Sequence, residues 1–257
     1  MGGERGVGAV FFSGCPMHCV YCQNYSVSQE CRGIEIGEER LAEIFVELTA
    51  AGAVALDLVS ATQFAPTVRN SLDLARKSGV TIPIVWNSNG YERIETLDYM
   101  AASVDIFLPD LKYVNEEYGR KYSAVADYFQ VAAAAIRRMV EIKGAVKFGA
   151  DGLLKSGVLV RHLVLPGHRH DSMAAVSWLW ENFGNAVAVS LMRQYIPAGQ
   201  ARKIPALNRK ITTFEYMSVV DHARRLGFEH GYIQGKNSAA ADLIPNFDGS
   251  GVSKANL

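Results

Sequence analysis

A parallel α/β fold is what the 257-residue sequence predicts, and three observations predict it. Short, apolar, β-rich runs alternate with segments of helical period. Capping and helix-breaking residues stand where those helices should begin and end. Reactive or polar residues follow the end of nearly every apolar run, as expected where parallel strands carry a site at their carboxyl ends.

The apolar runs cover residues 9–12, 54–59, 82–86, 104–108, 158–165 and 186–192. Between the first two, Leu41, Ile44, Phe45 and Leu48 recur at helical spacing. Ile94, Leu97, Met100 and Ala101 do the same ahead of the fourth. Pro66 suits the first turn of a helix that Gly79 closes. Thr212 and Glu215 have capping-box spacing before a helix that Gly227 ends. Six strand–helix units of this kind form either an open doubly wound sheet or an incomplete barrel, and periodicity does not separate the two. They are expected to make one domain over residues 1–235, followed by a tail over 236–257. In that tail Leu243-Ile244-Pro245-Asn246-Phe247 is apolar enough to dock on the body.

The residues after the runs are Cys15, then Thr62 and Gln63, then Asn87, Ser88 and Asn89. Asp110 with Lys112, His168, and Arg193 with Gln194 follow the remaining three. In a parallel fold all six positions converge on one face. Arg161 stands inside an apolar run, where a buried guanidinium needs a partner. His162, His168 and His170 read as structural or exposed residues, and Trp178, Trp180 and Phe183 as helix packing.

Lysine plus arginine number 26 and aspartate plus glutamate 26, so no net charge favours general binding of nucleic acid. The glycine-rich start has no apolar signal core, and no apolar run approaches the ~20 residues that span a bilayer. The expected compartment is the cytoplasm, where clustered cysteines are metal ligands more often than disulfides.

Cys15, Cys19 and Cys22 are spaced C-x₃-C-x₂-C, close enough to wrap one inorganic centre. Thiolates select zinc or iron–sulfur clusters, and a closed site of either kind takes four ligands. Cys31 or His18 would have to supply the fourth. If neither does, a four-iron cluster keeps one iron open for a small molecule.

C-x₃-C-x-aromatic-C, with Tyr21 as the aromatic and a strand just before it, resembles the signature of the radical S-adenosylmethionine superfamily. The segments 7–15, 23–25, 87–92, 105–113 and 161–167 resemble, more narrowly, a branch related to pyruvate formate-lyase activating enzyme. The resemblance runs from about Val7 to Val252. It implies a partial (β/α)₆ barrel carrying a [4Fe–4S] cluster on Cys15, Cys19 and Cys22, with Cys31 a spectator. It implies that S-adenosylmethionine chelates the open iron and is cleaved to a 5′-deoxyadenosyl radical that removes hydrogen from a substrate. In activase-like members that substrate is a glycine of a partner protein, and flavodoxin or ferredoxin is the reductant. Carried over residue by residue, Tyr21 lies over the adenine, Asn87, Ser88 and Asn89 meet the methionyl or ribose part, and Asp110 and Lys112 form a D-L-K segment at the carboxylate. Arg161 and Gln194 are further cofactor or substrate contacts.

The chain departs from the activases at their glycine-glycine-glutamate segment, where it has Val59-Ser60-Ala61-Thr62-Gln63-Phe64. Thr62 or Gln63 is therefore expected to take over the contact to the cofactor amino group. Members of the nearer branch also carry a further cysteine-containing segment ahead of the first strand, close to which this sequence begins. Two readings compete with the radical enzyme: an iron–sulfur electron-transfer or sensing protein, and a zinc-stabilised interaction module.

Overall fold

The computed structural model describes residues 6–238, 245 and 247–252. In chain order the elements are β1 (Gly8–Phe11), α1 (Tyr25–Ser28), α2 (Glu38–Ala50), β2 (Leu56–Val59), α3 (Ala65–Lys77), β3 (Ile84–Ser88), α4 (Ile94–Met100) and β4 (Ile106–Pro109). Then come α5 (Glu116–Ser123), α6 (Tyr128–Lys143), β5 (Lys147–Phe148), β6 (Leu154–Leu163), α7 (Arg169–Phe183), β7 (Ala188–Met192), α8 (Thr213–Leu226) and β8 (Gly231–Ile233).

The strands lie in the order β1-β2-β3-β4-β6-β7-β8, every neighbouring pair parallel, and β5 adds an antiparallel edge to β6. Sequential parallel strands joined by helices wind in one direction, which is the barrel solution rather than the doubly wound one. The six runs read from sequence each overlap a strand. A seventh parallel strand, β8, was not among them, because its three residues carry no periodic signal. Among the described residues β1 and β8 each pair on one side only, so the wall is incomplete.

Side-chain alternation sorts the strands into two cores. Leu56, Leu58, Ile84, Trp86, Phe107, Val158, Val160 and Val189 point outward and are buried under helix residues such as Phe45, Val68, Leu97, Ile136, Leu179 and Val219. Ala55, Val85, Ile106, Leu108, Leu159 and Ala188 form a smaller cluster on the inner face. Continuing each strand from that apolar floor reaches Asp57, Asn87, Asp110 and Arg161; Asp110 and Arg161 are bridge partners, and Asn87 stands between Val59 and Leu108. The inner face thus turns from apolar to charged within one layer.

Helix ends follow the sequence rules. Thr212 accepts from Glu215 N and the Glu215 carboxylate accepts from Thr212 N, completing the capping box of α8, and Gly227 ends that helix at φ +103°. Pro66 sits in the first turn of α3.

The apolar tail segment is only partly described: Leu243, Ile244 and Asn246 lie outside the described residues. Phe247 packs its ring edge-on against Phe11 at 5.2 Å. Arg40 of α2 donates to the carbonyls of Gly251 and Val252 at 3.3 and 2.9 Å. Among the described residues no helix is long and apolar enough to cross a membrane.

A candidate cofactor site at the strand ends

β1 leads straight into the cysteine segment. Gly14, at φ +89°, reverses the chain, and its N–H donates to Val27 O at 2.9 Å. The segment is then fastened to distant parts of the fold. His18 N donates to Ser123 O (3.1 Å), Val20 N to Tyr122 O (2.8 Å), and Ala201 N to Val20 O (2.9 Å). Gln23 Nε2 reaches Gln194 O at 3.1 Å and Gln29 Nε2 reaches Cys19 O at 3.2 Å. A loop without regular structure is thereby fixed by backbone pairing to the end of α5.

All three cysteines of the motif line one cavity of about 350 Å³ at the carboxyl ends of the strands. Asp57, Asn87, Ser88, Asn89, Asp110, Lys112, Arg161, Gln194 and Tyr21 line it too. Cys31 is exposed and is not part of that lining. Each motif sulfur has one polar side chain against it. Asn89 Nδ2 donates to Cys15 Sγ at 3.3 Å, Ser123 Oγ lies 3.0 Å from Cys19 Sγ, and Ser28 Oγ lies 3.2 Å from Cys22 Sγ. Burial pushes the Cys19 thiol up to about 11, with Lys112 and Ser123 opposing; a metal centre bound there has to displace that proton. Three thiols, each with a polar side chain in hydrogen-bond reach, are a donor set that fits an iron–sulfur cluster. Among the described residues no three Cys, His, Asp or Glu side chains converge around one point as a single metal ion requires.

The charged layer beneath is a fixed unit. Asp110 accepts from Lys112 Nζ at 2.6 Å and from Arg161 Nε at 2.8 Å. Burial pulls the Asp110 carboxyl up, but the two cations outweigh it and hold the group below its ordinary value. Burial likewise works against the Lys112 ammonium, and Asp110 and Cys19 overcome it, so Lys112 is held protonated. Two cations share one carboxylate, leaving the trio one positive charge in excess. Across the cavity floor Asp57 accepts from Asn87 Nδ2 at 3.2 Å, and its Oδ1 is buried without a partner. Burial raises the Asp57 carboxyl, with Arg161 and Asn87 opposing.

Asn89 is locked from both sides. Its Oδ1 accepts from Tyr91 N at 2.8 Å, which turns its amide nitrogen toward Cys15, and its carbonyl accepts from Tyr128 OH at 2.9 Å. Tyr128 OH also donates to Asp110 O at 2.8 Å, tying the ends of β3 and β4 together.

Other predicted positions lie elsewhere. Thr62 and Gln63 are outside the cavity lining. Thr62 Oγ1 donates to Glu92 Oε1 at 2.6 Å, and Gln63 Nε2 donates to Ser13 O at 2.7 Å and Gly14 O at 3.2 Å. Both stand on a short 3₁₀ turn over Thr62–Phe64. Arg193 donates to Thr213 Oγ1 behind the sheet. His168 packs on Tyr118 with centroids 4.4 Å apart and has Nε2 3.0 Å from Tyr122 OH; His162 is buried on the outer face beside Leu111 O. His170 lines a separate hollow with Arg169, Arg209 and Glu215, which contains none of the strand-end residues. Sequence reasoning missed Asp57, Ser28, Tyr113, Ser123, Met192 and Tyr195. Only Asp57 carried a signal, as a carboxylate inside an apolar run.

Comparison with known proteins supplies the context. The family model described as "Radical SAM superfamily" matches residues 9–175. The "Uncharacterized protein MJ0674" of Methanocaldococcus jannaschii is 28% identical over 226 residues, 86% of this chain and 62% of that protein. The pyruvate formate-lyase 1-activating enzyme of Escherichia coli K12 is 25% identical over 191 residues, 71% of each. Among solved structures, Streptococcus suis SuiB superposes with a TM-score of 0.62 at 12% identity, over 94% of this chain and 53% of SuiB. The chain thus spans about three-fifths of the archaeal relative and half of SuiB.

Proposed function

The chain belongs to the Radical SAM superfamily, whose members use a [4Fe–4S] cluster and S-adenosylmethionine, and we propose from that premise that it is an activase-like hydrogen-abstracting enzyme. In this reading Cys15, Cys19 and Cys22 hold the cluster and leave one iron without a protein ligand. When bound, the cluster and S-adenosylmethionine supply the reductive cleavage that yields a 5′-deoxyadenosyl radical. This chain's residues bind, orient and shield.

The observation that carries the reading is the meeting of three thiols and the polar ends of β3, β4, β6 and β7 in one cavity. The excess positive charge of Lys112 and Arg161 over Asp110 suits the cofactor carboxylate, with Lys112 acting as a point charge. Asn87, Ser88 and Asn89 take the methionyl and ribose side, Tyr21 the adenine side, and Gln194 the rim. Thr62 and Gln63 serve the site from outside: Thr62 through Glu92 behind β3, Gln63 by gripping the turn at Ser13 and Gly14. The substrate class is a glycine in a partner protein, and a flavodoxin or ferredoxin supplies the electron; both rest on the likeness to the activating enzyme. The likeness to MJ0674 leaves the substrate open.

Anaerobic reconstitution with iron and sulfide, followed by assay for 5′-deoxyadenosine with dithionite and S-adenosylmethionine, tests the reading. Cys→Ala at 15, 19 or 22 is expected to abolish both the cluster spectrum and the product, and Cys31→Ala to leave both. Loss of the cluster in Cys31→Ala would make it a four-thiolate centre and favour the electron-transfer alternative.

A further inference from the structure

Beyond the three ligands, a buried chain of hydroxyls ends on one of them. Tyr21 OH is in short hydrogen-bond contact with Tyr113 OH, which lies 3.0 Å from Ser123 Oγ, which lies 3.0 Å from Cys19 Sγ. Tyr21, Tyr113 and Ser123 are buried, Ser123 completely. With a free thiol the direction of these bonds is undetermined. With an iron-bound thiolate it is fixed, because a thiolate only accepts. Ser123 must then donate to Cys19, leaving its own oxygen to accept from Tyr113, whose oxygen accepts from Tyr21. Three hydroxyls aligned in one direction in a low-dielectric setting polarise one another.

We infer that Tyr21, Tyr113 and Ser123 form a one-way hydrogen-bond relay that raises the reduction potential of the cluster through Cys19, an inference that rests on the cluster assignment above. Reduction adds negative charge that the sulfurs share, so a donor to sulfur stabilises the reduced form more than the oxidised one. The geometry is built in. The cysteine segment pairs its backbone with Tyr122 and Ser123 through Val20 N and His18 N. Ala124 follows in the left-handed region at φ +57°, ending α5 where Ser123 meets Cys19. Asn89 on Cys15 and Ser28 on Cys22 are single donors in half-buried positions, without such a chain behind them. The relay also gives the motif tyrosine a role through its hydroxyl, separate from its ring. Tyr113 and Ser123 are positioning residues here, acting through Cys19.

Redox titration of the reconstituted protein, followed by electron paramagnetic resonance, reads the relay directly. Ser123→Ala is expected to make the midpoint more negative, by about tenfold in the equilibrium with a given reductant or ~59 mV for one electron. Tyr113→Phe, which keeps the volume, should shift it less in the same direction, and Ser123→Thr should restore it. Ser28→Ala is expected to move it less than Ser123→Ala. An unmoved midpoint in Ser123→Ala and Tyr113→Phe, with iron and sulfide content intact, overturns the relay alone. Wild-type protein that takes up no iron–sulfur cluster overturns the cluster assignment and the relay with it.

Discussion

Glu92 stands behind the cavity wall, with one oxygen accepting from Thr62 Oγ1 at 2.6 Å and Trp86 Nε1 at 3.2 Å and the other buried without a partner. Burial raises its pKa, with Thr62, Trp86 and Ser88 opposing. A carboxyl raised in the fold makes the native state bind its proton more tightly than the unfolded chain does. Glu92 therefore costs stability as pH rises through its folded value, and the cost vanishes below the ordinary glutamate value of about 4.3. Glu215 is the reverse case. Arg209 first, then Thr212 and Gly167, hold it well below its usual range, against the opposing effect of burial. Its contribution is present above about pH 4.3 and lost as pH falls through the lowered value. Urea unfolding across pH is expected to show Glu92→Gln gaining on wild type toward neutrality. Glu215→Ala should lose about 2 kcal/mol at pH 7, a loss that shrinks in acid. Parallel pH profiles for wild type and both variants would contradict these assignments. At this scale Arg161 was legible in sequence, because a guanidinium inside an apolar run must find a partner, whereas Asp110 and Lys112 came from their place after the fourth run and from the D-L-K resemblance. Ser123 and Tyr113 were not, because a hydroxyl in a helix or loop is chemically ordinary until a distant thiol is folded onto it.

The ends of β3 and β4 are held together at Gly90. Its φ is +82°, and a Cβ there would lie 2.1 Å from Asp110 O, backbone that cannot yield without moving the charged trio. Gly90→Ala is expected to cost about 3 kcal/mol or more, from positive-φ strain and the clash together. That corresponds to a midpoint lowered by roughly 6–12 °C for a chain of this size. A thermal melt matching wild type would mean that the two strand ends move apart freely. The capping box and Gly227 make α8 legible in the sequence, since local hydrogen-bonding chemistry alone defines them. The Thr62–Phe64 turn was not legible: only its backbone path decides that Thr62 and Gln63 stand outside the cavity lining. β8 escaped for a different reason, being too short for alternation to register.

Across the whole molecule, alternation made the parallel fold readable, but the choice between barrel and open sheet needed the family resemblance. Strand order depends on where each helix crosses, and the period of a helix does not encode that. The incomplete wall also has a colloidal consequence. A sheet that fails to close keeps two rows of backbone groups without a partner strand, a template for pairing with another chain. Among the described residues those edges are β1 and β8, only four and three residues long. The described tail residues lie beside the first of them, with Phe247 on Phe11 and Gly251 and Val252 held by Arg40. Deleting residues 236–257 is expected to lower the concentration at which the protein begins to scatter light. Unchanged scattering would show that short strands suffice. The scattering threshold thus reads how well the described tail and the shortness of the two strands keep those edges from finding one another.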